Sequence, residues 1–178
     1  MITVYAAAIT ARGQAYDLLD AAAEARWGLS ARPEILRAEG GKPYFPHLPD
    51  HHFNLSHSGA LALCALGDGP VGADIQTVAP HRPGLPGRVC APAELEWLEA
   101  GDRWDRFTQL WVLKEALSKF RGTGLTTPIR ELAVPIPTAG AGLYALDGLW
   151  FRLYKGDGWW AAVCGEGAPS AEICWLTV

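Results

Sequence analysis

The segment from residue 103 to residue 120 constrains the fold most, because it is the longest stretch of the chain with helical periodicity. Apolar side chains recur along it at helical spacing, at Trp104, Phe107, Leu110, Trp111, Leu113, Leu117 and Phe120. This pattern predicts an amphipathic helix, which must bury its apolar face against a sheet or another helix. Gly122 and Gly124 follow and are expected to end the helix.

The remaining segments alternate between strand-like and helix-like patterns. Residues 2–9 are predicted to form a strand, since they lack the basic start and the cleavage pattern of a signal peptide. Residues 14–27 are predicted to form a helix and residues 35–37 a short strand. Residues 53–76 read as three strands with tight turns between them. Further candidate strands are residues 132–134, 143–146, 149–154, 159–164 and 173–178.

A stretch rich in proline and glycine, TVAPHRPGLPGRVCAP, divides the chain near its middle. It is the best candidate for a connection between two halves. A short helix is predicted directly after it, with Pro92 in its first turn and Gly101 after its end. We therefore predict an α+β fold with an amino-terminal half, residues 1–78, and a carboxyl-terminal half, residues 79–178, which form one unit.

Charge and hydropathy exclude some classes of partner. The formal net charge of the 178 residues is −4, so no overall basic field points to nucleic acid or to an anionic membrane. No apolar run is long enough to span a bilayer. A phosphate-binding site would therefore have to be local.

The four cysteines have no CxxC spacing, and three of them lie in apolar runs. This pattern predicts buried free thiols in a reducing cytoplasm, and it argues against a zinc site. Paired disulfides and a catalytic cysteine are the alternatives.

In the predicted meander, an acid, an amide and a histidine converge on one edge. If the second turn lies at residues 67–70, the flanking strands pair as a hairpin and bring Asp74 and Gln76 towards the turn that carries His57. Asp74 and Gln76 point to the same face, because they are two residues apart in a strand.

Asp74 and Glu115 are the candidate metal ligands. An acid within an apolar strand needs a partner or a metal, and oxygen ligands from Asp74 and Glu115, completed by Gln76 and water, would suit Mg²⁺. The alternatives are an Asp74 that caps the next turn, and a Glu115 that forms an ordinary helix-surface salt bridge with Lys119 four residues later.

Lysines and one histidine are the candidate anion ligands. Lys42, Lys114 and Lys119 are three of the four lysines in the chain, and an ammonium group is a good partner for phosphate. His57 lies in a Ser-His-Ser-Gly sequence. The alternatives are a solvated surface lysine at position 42 and an exposed turn residue at position 57.

Four motifs, in this order, resemble those of the Sfp-type 4′-phosphopantetheinyl transferases. They are GKPYF (41–45), FNLSHSG (53–59), VGADIQ (71–76) and LWVLKEALSKFRGTGL (110–125). The resemblance implies a Mg²⁺-dependent enzyme, a holo-[acyl-carrier-protein] synthase, that transfers the phosphopantetheine arm of coenzyme A to a serine of an apo acyl, peptidyl or aryl carrier protein and releases 3′,5′-ADP. It implies a cytoplasmic monomer built as a pseudo-dimer of two similar halves, each a helix on a small antiparallel-rich sheet, with the active site in the cleft between them.

The resemblance also implies roles for individual residues. Asp74 and Glu115, with Gln76, would hold the metal, and Glu94 would lie near the metal and the incoming serine. The catalytic residues would be Glu115, Lys119 and Glu94, with Glu94 or a water molecule as the base. The residues that would bind coenzyme A are Lys42, Ser56, His57, Asp74, Lys114 and Lys119, with Lys114 and Lys119 at the pyrophosphate and Lys42, Ser56 and His57 near the 3′-phosphate.

Two features depart from the family pattern. Gln76 stands where the family usually has a third acidic ligand, which motivates an alternative function: a non-catalytic relative that binds coenzyme A or a carrier protein. The family often carries basic residues near the amino terminus that grip the 3′-phosphate, and this chain offers Arg12 and Arg26 there. A purely structural domain with a salt-bridged Lys-Glu helix is the remaining alternative.

Overall fold

The computed structural model describes residues 1–124 and 127–178 and confirms a mixed α+β fold. The elements in chain order are β1 (Ile2–Ala8), α1 (Gln14–Trp27), β2 (Leu36–Arg37), β3 (Pro43–Tyr44), β4 (His52–Ser58), β5 (Leu61–Gly67), β6 (Val71–Thr77), α2 (Leu85–Val89), α3 (Pro92–Glu99), α4 (Arg103–Arg121), β7 (Gly142–Leu146), β8 (Leu149–Gly156), β9 (Trp159–Gly165) and β10 (Pro169–Trp175). A 3₁₀ turn, Ile129–Glu131, lies between α4 and β7. None of the helices in the described ranges is long and apolar enough to cross a membrane.

The two long helices begin and end where the sequence predicts. Asp102 caps α4, since its carboxylate accepts hydrogen bonds from the backbone N–H groups of Trp104 and Asp105 at 3.1 Å each. Gly122 ends α4 in the left-handed region, at φ 66°. The helix α1 buries a face of alanine and leucine, namely Ala15, Leu18, Leu19, Ala22 and Ala23.

Two four-stranded sheets pack face to face, and a long helix covers the outer face of each. The strand orders are β10-β1-β5-β4 and β6-β9-β8-β7. Buried side chains of β1, β5, β6 and β9, among them Val4, Leu63, Ile75 and Val163, form the layer between the sheets. A second cluster lies between α1 and the first sheet, and a third between α4 and the second sheet. The core is therefore in three layers.

The two sheets repeat one topology. In β1, β4 and β5, the first strand pairs with the third and the third with the second, and the same holds for β6, β8 and β9. A long helix follows the first strand of each set, α1 after β1 and α4 after β6, although α2 and α3 precede α4. The chain thus contains two units of the same construction.

The predicted hairpin of β5 with β6 is wrong. The strand β6 pairs with β9, with Asp74 opposite Ala162, and belongs to the second sheet. The physical reason is that both edges of β5 are already occupied, since β1 pairs with one and β4 with the other. Asp74 nevertheless reaches the neighbourhood of the Ser-His-Ser motif, because β6 lies beside β4 at the corner where the sheets meet.

The predicted boundary after residue 78 does not separate the sheets. The strand β6 precedes that boundary but belongs to the second sheet, and β10 follows it but pairs in parallel with β1 of the first. Each half therefore contributes one strand to the sheet of the other. The connection after residue 78 also contains a helix, α2, that the sequence analysis did not predict.

Two predicted strands of the carboxyl-terminal region need correction. Residues 132–134 are not a strand; the carbonyl of Leu132 instead accepts a hydrogen bond from Lys114, and Pro135 and Pro137 lack the N–H groups that a ladder needs. The last strand is Pro169–Trp175, which begins four residues before the predicted range of 173–178.

All four cysteines are free, so the alternative of paired disulfides is wrong. Cys64, Cys90 and Cys164 are buried, and burial raises the pKa of Cys90 to about 11 and that of Cys164 to about 12. A reactive thiol needs a lowered pKa. The three buried cysteines therefore act as small apolar residues of the core.

The side chains of β4 cap the edge of β6 that does not pair with β9. The backbone N–H groups of Ala73, Ile75 and Thr77 donate to Asn54 Oδ1, Ser56 Oγ and Ser58 Oγ at 2.9, 3.4 and 3.1 Å. Alternate residues of an antiparallel strand direct their N–H groups away from the partner strand. These bonds, which we call the seam, therefore join the two sheets without a backbone ladder.

Gly72 sets how closely α4 approaches β6. A Cβ atom at this position would collide with the carbonyl oxygen of Ala116 and the backbone nitrogen of Phe120, both in α4. The contact is with backbone, which cannot swing aside as a flexible side chain can. The absence of a side chain here therefore holds the carboxyl-terminal part of α4 against β6.

We expect Gly72→Ala to lower the free energy of unfolding by about 1–3 kcal/mol, the usual cost of overpacking a tight interface. Urea denaturation measures the change. The control is Gly69→Ala, where an added Cβ meets nothing within 4 Å. Equal stability of the two variants would contradict the close approach of α4 to β6.

Candidate functional site

A cavity of about 610 Å³ opens at the corner where the two sheets meet. Its walls come from the start of α1, the segment around β2 and β3, the strand β4 and the carboxyl-terminal part of α4. The lining residues that carry polar or charged side chains are Arg12, Tyr16, Arg37, Lys42, Asn54, His57, Glu115, Ser118 and Lys119. The cavity thus draws on both units of the fold.

The cavity wall is mainly basic. Arg12, Arg37, Lys42, His57 and Lys119 line it, whereas Glu115 is the single acid among the lining residues. The protein as a whole is acidic, so the charge of the cavity wall differs from that of the whole chain. Such a site favours an anion with several charges.

Two arginines near the amino terminus have different surroundings. Arg12 lines the cavity, whereas Arg26 donates to Thr3, to the carbonyl of Met1 and to Asp68. Arg26 therefore forms contacts outside the cavity. Of the two arginines, only Arg12 lies where it could act as the expected basic residue for the 3′-phosphate.

Arg37 was missed by the sequence analysis. It lines the cavity, and its guanidinium donates to the carbonyl of Gly41 at 2.9 Å and to the Tyr16 hydroxyl at 3.4 Å. The available signal was its position, since a short strand ending at Arg37 and a Gly-Gly turn place this residue opposite Pro43, beside Lys42.

A buried cluster joins β4, β6 and α4 beside the cavity. Lys119 Nζ lies 2.6 Å from Asp74 Oδ1, and the Ser56 hydroxyl donates to the same oxygen at 2.7 Å. Lys119 also donates to Ser56 Oγ at 3.1 Å and to the carbonyl of Ala73 at 3.2 Å. The structure thus brings into contact Lys119 and Asp74, which the family resemblance assigns to one site. The ordinary surface salt bridge of Lys119 with Glu115 is replaced by this longer-range pair.

Glu115 lies one helical turn before Lys119, on the same stripe of α4, and is half-buried. Burial raises the pKa of Glu115, and the nearby charge of Asp74 raises this pKa further, while Lys119 opposes the shift. When ionised, Asp74 and Glu115 together carry two negative charges, and Lys119 neutralises one of them. A cation held here would relieve their repulsion.

The donor set fits a hard cation such as Mg²⁺. Asp74 Oδ2 is buried and has no hydrogen-bond partner among the described residues, and a carboxylate oxygen in this state is an available ligand. Gln76 lies on the same strand face, two residues on. The described part of the chain has no group of three or more His, Cys, Asp or Glu suited to a metal. The candidate set would consist of Asp74, Glu115 and the neutral amide of Gln76.

Lys42 is more than a solvated surface lysine. Its ammonium donates to the carbonyls of Val71 in β6 and Phe120 in α4, at 3.0 Å each. Burial lowers the pKa of Lys42 to about 8. An ammonium has three donors, so one N–H remains for a ligand in the cavity that Lys42 lines.

His57 and Ser56 lie on opposite faces of β4. His57 lies in the strand β4 and not in a turn; it is exposed, as the alternative for this residue has it, and it lines the cavity. Ser56 is buried and faces Asp74. Of the residues predicted near the 3′-phosphate, the structure therefore brings Lys42 and His57, but not Ser56, to the cavity wall.

The predicted roles of Lys114 and Glu94 do not match their positions. Lys114 has 0% of its surface exposed, so its ammonium cannot contact a pyrophosphate in this arrangement. It pairs with Glu94 at 3.0 Å and donates to the carbonyls of Ile129 and Leu132. Glu94 also accepts from the backbone of Ala91 at 2.6 Å, as a helix-capping group.

This correction has a physical reason. Lys114 precedes Glu115 directly, so along a helix its side chain is rotated by about 100° from that of Glu115. That rotation directs Lys114 towards α3 and the 3₁₀ turn instead of the cavity. The pair with Glu94 holds three elements of the second unit together.

We expect Lys114→Met to lower the free energy of unfolding by about 3–5 kcal/mol, because it leaves the buried Glu94 without its cation. The double variant with Glu94→Gln should recover part of this loss. Urea denaturation of both variants measures the difference. The control is Lys155→Met at an exposed lysine, where the loss should stay below about 1 kcal/mol. A stability of Lys114→Met equal to that of the control would contradict the buried pair.

Comparison with known proteins identifies related sequences and a matching family model. The family model described as the 4′-phosphopantetheinyl transferase superfamily matches residues 70–164. A 4′-phosphopantetheinyl transferase of Bacillus subtilis is 39% identical over 105 residues, which are 57% of this chain and 47% of that protein. The 4′-phosphopantetheinyl transferase Sfp of Bacillus subtilis strain 168 is 38% identical over the same shares.

A relative from a second bacterial species gives a similar match. The 4′-phosphopantetheinyl transferase AcpT of Escherichia coli K12 is 39% identical over 101 residues, 53% of this chain and 51% of that protein. The chain spans about half the length of the curated relatives it matches. Since the family model covers more than half of the chain, this protein belongs to the 4′-phosphopantetheinyl transferase superfamily.

Proposed function

We propose that this protein transfers the 4′-phosphopantetheine arm of coenzyme A to a serine of an apo acyl, peptidyl or aryl carrier protein and releases 3′,5′-ADP. One observation carries the proposal. Two acids, Asp74, which is paired with Lys119, and Glu115, which lines the cavity, lie at a cavity whose other charged side chains are basic. Coenzyme A carries a pyrophosphate and, at its adenosine end, a separate 3′-phosphate. These are the negative charges that such a site would bind.

We assign the basic residues of the cavity to two parts of coenzyme A. Lys119 lies at the carboxylates, where a pyrophosphate would be held, and its ammonium is already oriented by Asp74 and the carbonyl of Ala73. Arg12 just before α1, Arg37 on β2 and His57 on β4 also line the cavity, and we assign them to the 3′-phosphate of the adenosine. A phosphate binds best to several donors of this kind.

Asp74 Oδ2, Glu115 and the amide oxygen of Gln76 would hold Mg²⁺. The cation would supply positive charge at the pyrophosphate oxygens, where negative charge grows during phosphoryl transfer. Lys119 contributes to the same stabilisation through its charge, since its three N–H groups already donate to Ser56, Ala73 and Asp74. Since Gln76 is neutral, we expect a weaker hold on the metal than three carboxylates would give.

The nucleophile belongs to the carrier protein, which agrees with the lack of an activated serine or thiol at the cavity among the described residues. Glu115 is the carboxylate that lines the cavity, and burial raises its pKa above that of an ordinary glutamate. A Mg²⁺ ion held by Glu115 would lower this pKa again, so Glu115 is better suited as a metal ligand than as a base. Since Glu94 is paired with Lys114, we propose that a water molecule is the general base.

The repeated topology supports a proposal about the architecture of the protein. We propose that the two units are the halves of a pseudo-dimer and that the corner between them is the active-site cleft. One chain supplies both walls of the cavity, which supports activity as a monomer. We place the reaction in the cytoplasm, where coenzyme A and carrier proteins are available.

The transfer is tested by mass spectrometry of an apo carrier protein incubated with the protein, coenzyme A and Mg²⁺. We expect the carrier to gain the mass of the phosphopantetheine arm, and a chelator to abolish the gain. Asp74→Asn and Glu115→Gln should each lower the rate by about 100-fold or more, since each weakens the metal site.

Asp68→Asn is the matched control, because Asp68 is an exposed acid paired with Arg26 and the amino terminus. It should transfer at the wild-type rate. Coenzyme A binding without transfer to any of several carriers would contradict the proposal in favour of a non-catalytic relative. Near-normal turnover of Asp74→Asn would contradict the metal assignment.

The pKa of Lys42 predicts a pH dependence. The charged form of Lys42, which attracts an anion, predominates below a pH of about 8, and the neutral form predominates above it. The value of kcat/KM for coenzyme A should therefore fall as the pH rises through about 8, because this ratio reports on groups of the free enzyme. Steady-state kinetics between pH 6.5 and about 9.5 would show the decline.

Lys42→Arg provides the control for this prediction. Arginine keeps its charge throughout this pH range, so the decline of kcat/KM near pH 8 should disappear in the variant. A decline of equal size in both proteins would show that another group is responsible.

A further inference from the structure

We propose that Ser56 is a positioning residue, which orients the Asp74 carboxylate for the metal and does not bind a phosphate of coenzyme A. This inference rests on the proposed function. Ser56 is only 8% exposed and is not among the residues that line the cavity. Its hydroxyl donates to Asp74 Oδ1 at 2.7 Å.

The hydroxyl has no capacity left for a phosphate. A serine hydroxyl has one hydrogen to donate and two lone pairs that accept. The lone pairs of Ser56 Oγ accept from Lys119 Nζ at 3.1 Å and from the backbone N–H of Ile75 at 3.4 Å. The hydrogen is therefore left for Asp74. A bond from Ser56 to a phosphate oxygen would require this bond to break.

The contact decides which oxygen of Asp74 is available. Oδ1 takes bonds from both Ser56 and Lys119, whereas Oδ2 is buried and without a partner among the described residues. The torsion that exchanges these two oxygens is soft in aspartate. Two donors on one oxygen hold that torsion, so Oδ2 stays directed away from the lysine. The Ser56 hydroxyl thereby orients Asp74 as a metal ligand without binding the metal itself.

Direct binding of Mn²⁺, in the presence of coenzyme A and followed by electron paramagnetic resonance, tests this role without turnover. Mn²⁺ prefers the same oxygen ligands as Mg²⁺. We expect Ser56→Ala to raise the dissociation constant of Mn²⁺ by about 10-fold, the usual loss when a group that orients a metal ligand is removed. Ser56→Thr keeps the hydroxyl and should restore most of the affinity.

Ser58→Ala is the matched control. Ser58 lies on the same face of β4 and caps the N–H of Thr77, as Ser56 caps that of Ile75, but its side chain contacts Thr77 instead of Asp74. Both variants lose one bond of the seam, and thermal denaturation shows that loss for each. Only Ser56→Ala should weaken Mn²⁺ binding. An equal effect of the two variants on Mn²⁺ would overturn the proposal and leave Ser56 a purely structural role.

Transfer from coenzyme A and from dephospho-coenzyme A, which lacks the 3′-phosphate, separates the two possible roles. A positioning residue affects both substrates alike, so the ratio of their kcat/KM values should be the same in Ser56→Ala and in the wild type. A loss of about 10-fold or more with coenzyme A alone would overturn the proposal and make Ser56 a ligand of the 3′-phosphate. Failure of the wild-type protein to transfer the arm would instead refute the proposed function, before any variant is compared.

Discussion

The hydrogen bonds from the edge of β6 to the side chains of β4 are the interaction on which the rest of the structure depends. A strand edge that is buried without partners is costly, and a second backbone ladder would have merged the two sheets into one. Asn54, Ser56 and Ser58 satisfy this edge with side chains, so the sheets can turn at a corner. The cavity lies at that corner, and Asp74 on β6 is linked to it through Lys119, which lines the cavity.

Lysines complete the same edge and tie α4 to it. Lys42 and Lys119 donate to the carbonyls of Val71 and Ala73 in β6, while Lys114 donates to carbonyls near the 3₁₀ turn. The three lysines thus serve the main chain as well as the charges around them. A buried ammonium needs such acceptors, because transfer of an unpaired charge out of water is unfavourable. The scarcity of lysine elsewhere in the chain fits this specialised use.

Much of the fold was predictable from local patterns. Helical spacing and glycine stops gave α1 and α4, and alternation with tight turns gave β4, β5 and β6 as separate strands. Strand pairing was not predictable in the same way. The hairpin of β5 with β6 was predicted because the two strands are close in sequence. Strands that are distant in sequence can pair with the same edges, and in the structure β1 pairs with β5 and β9 pairs with β6.

The candidate site shows the same division. Motifs identified Asp74, Glu115, Lys119, Lys42 and His57, whose positions around the cavity and the cluster agree with a common site. The motifs did not reveal that Lys114 points away from the cavity. Side chains of adjacent helix residues point in different directions, and only the packing of Lys114 against α3 shows which direction it takes. Arg37 was missed because a single arginine in a two-residue strand belongs to no recognisable motif, and only its position beside the Gly-Gly turn pointed to it.

The exchange of strands between the sheets has a consequence for chain cleavage. The strand β6 comes from the first part of the chain and β10 from the last, yet each completes the sheet of the other part. A cut in the connection after residue 78 would leave two fragments, each with an open edge and one surplus strand. Such fragments should aggregate alone and reassemble when mixed, because each carries the piece that the other lacks. The two units are therefore interlocked by their connectivity and would not survive as independent modules.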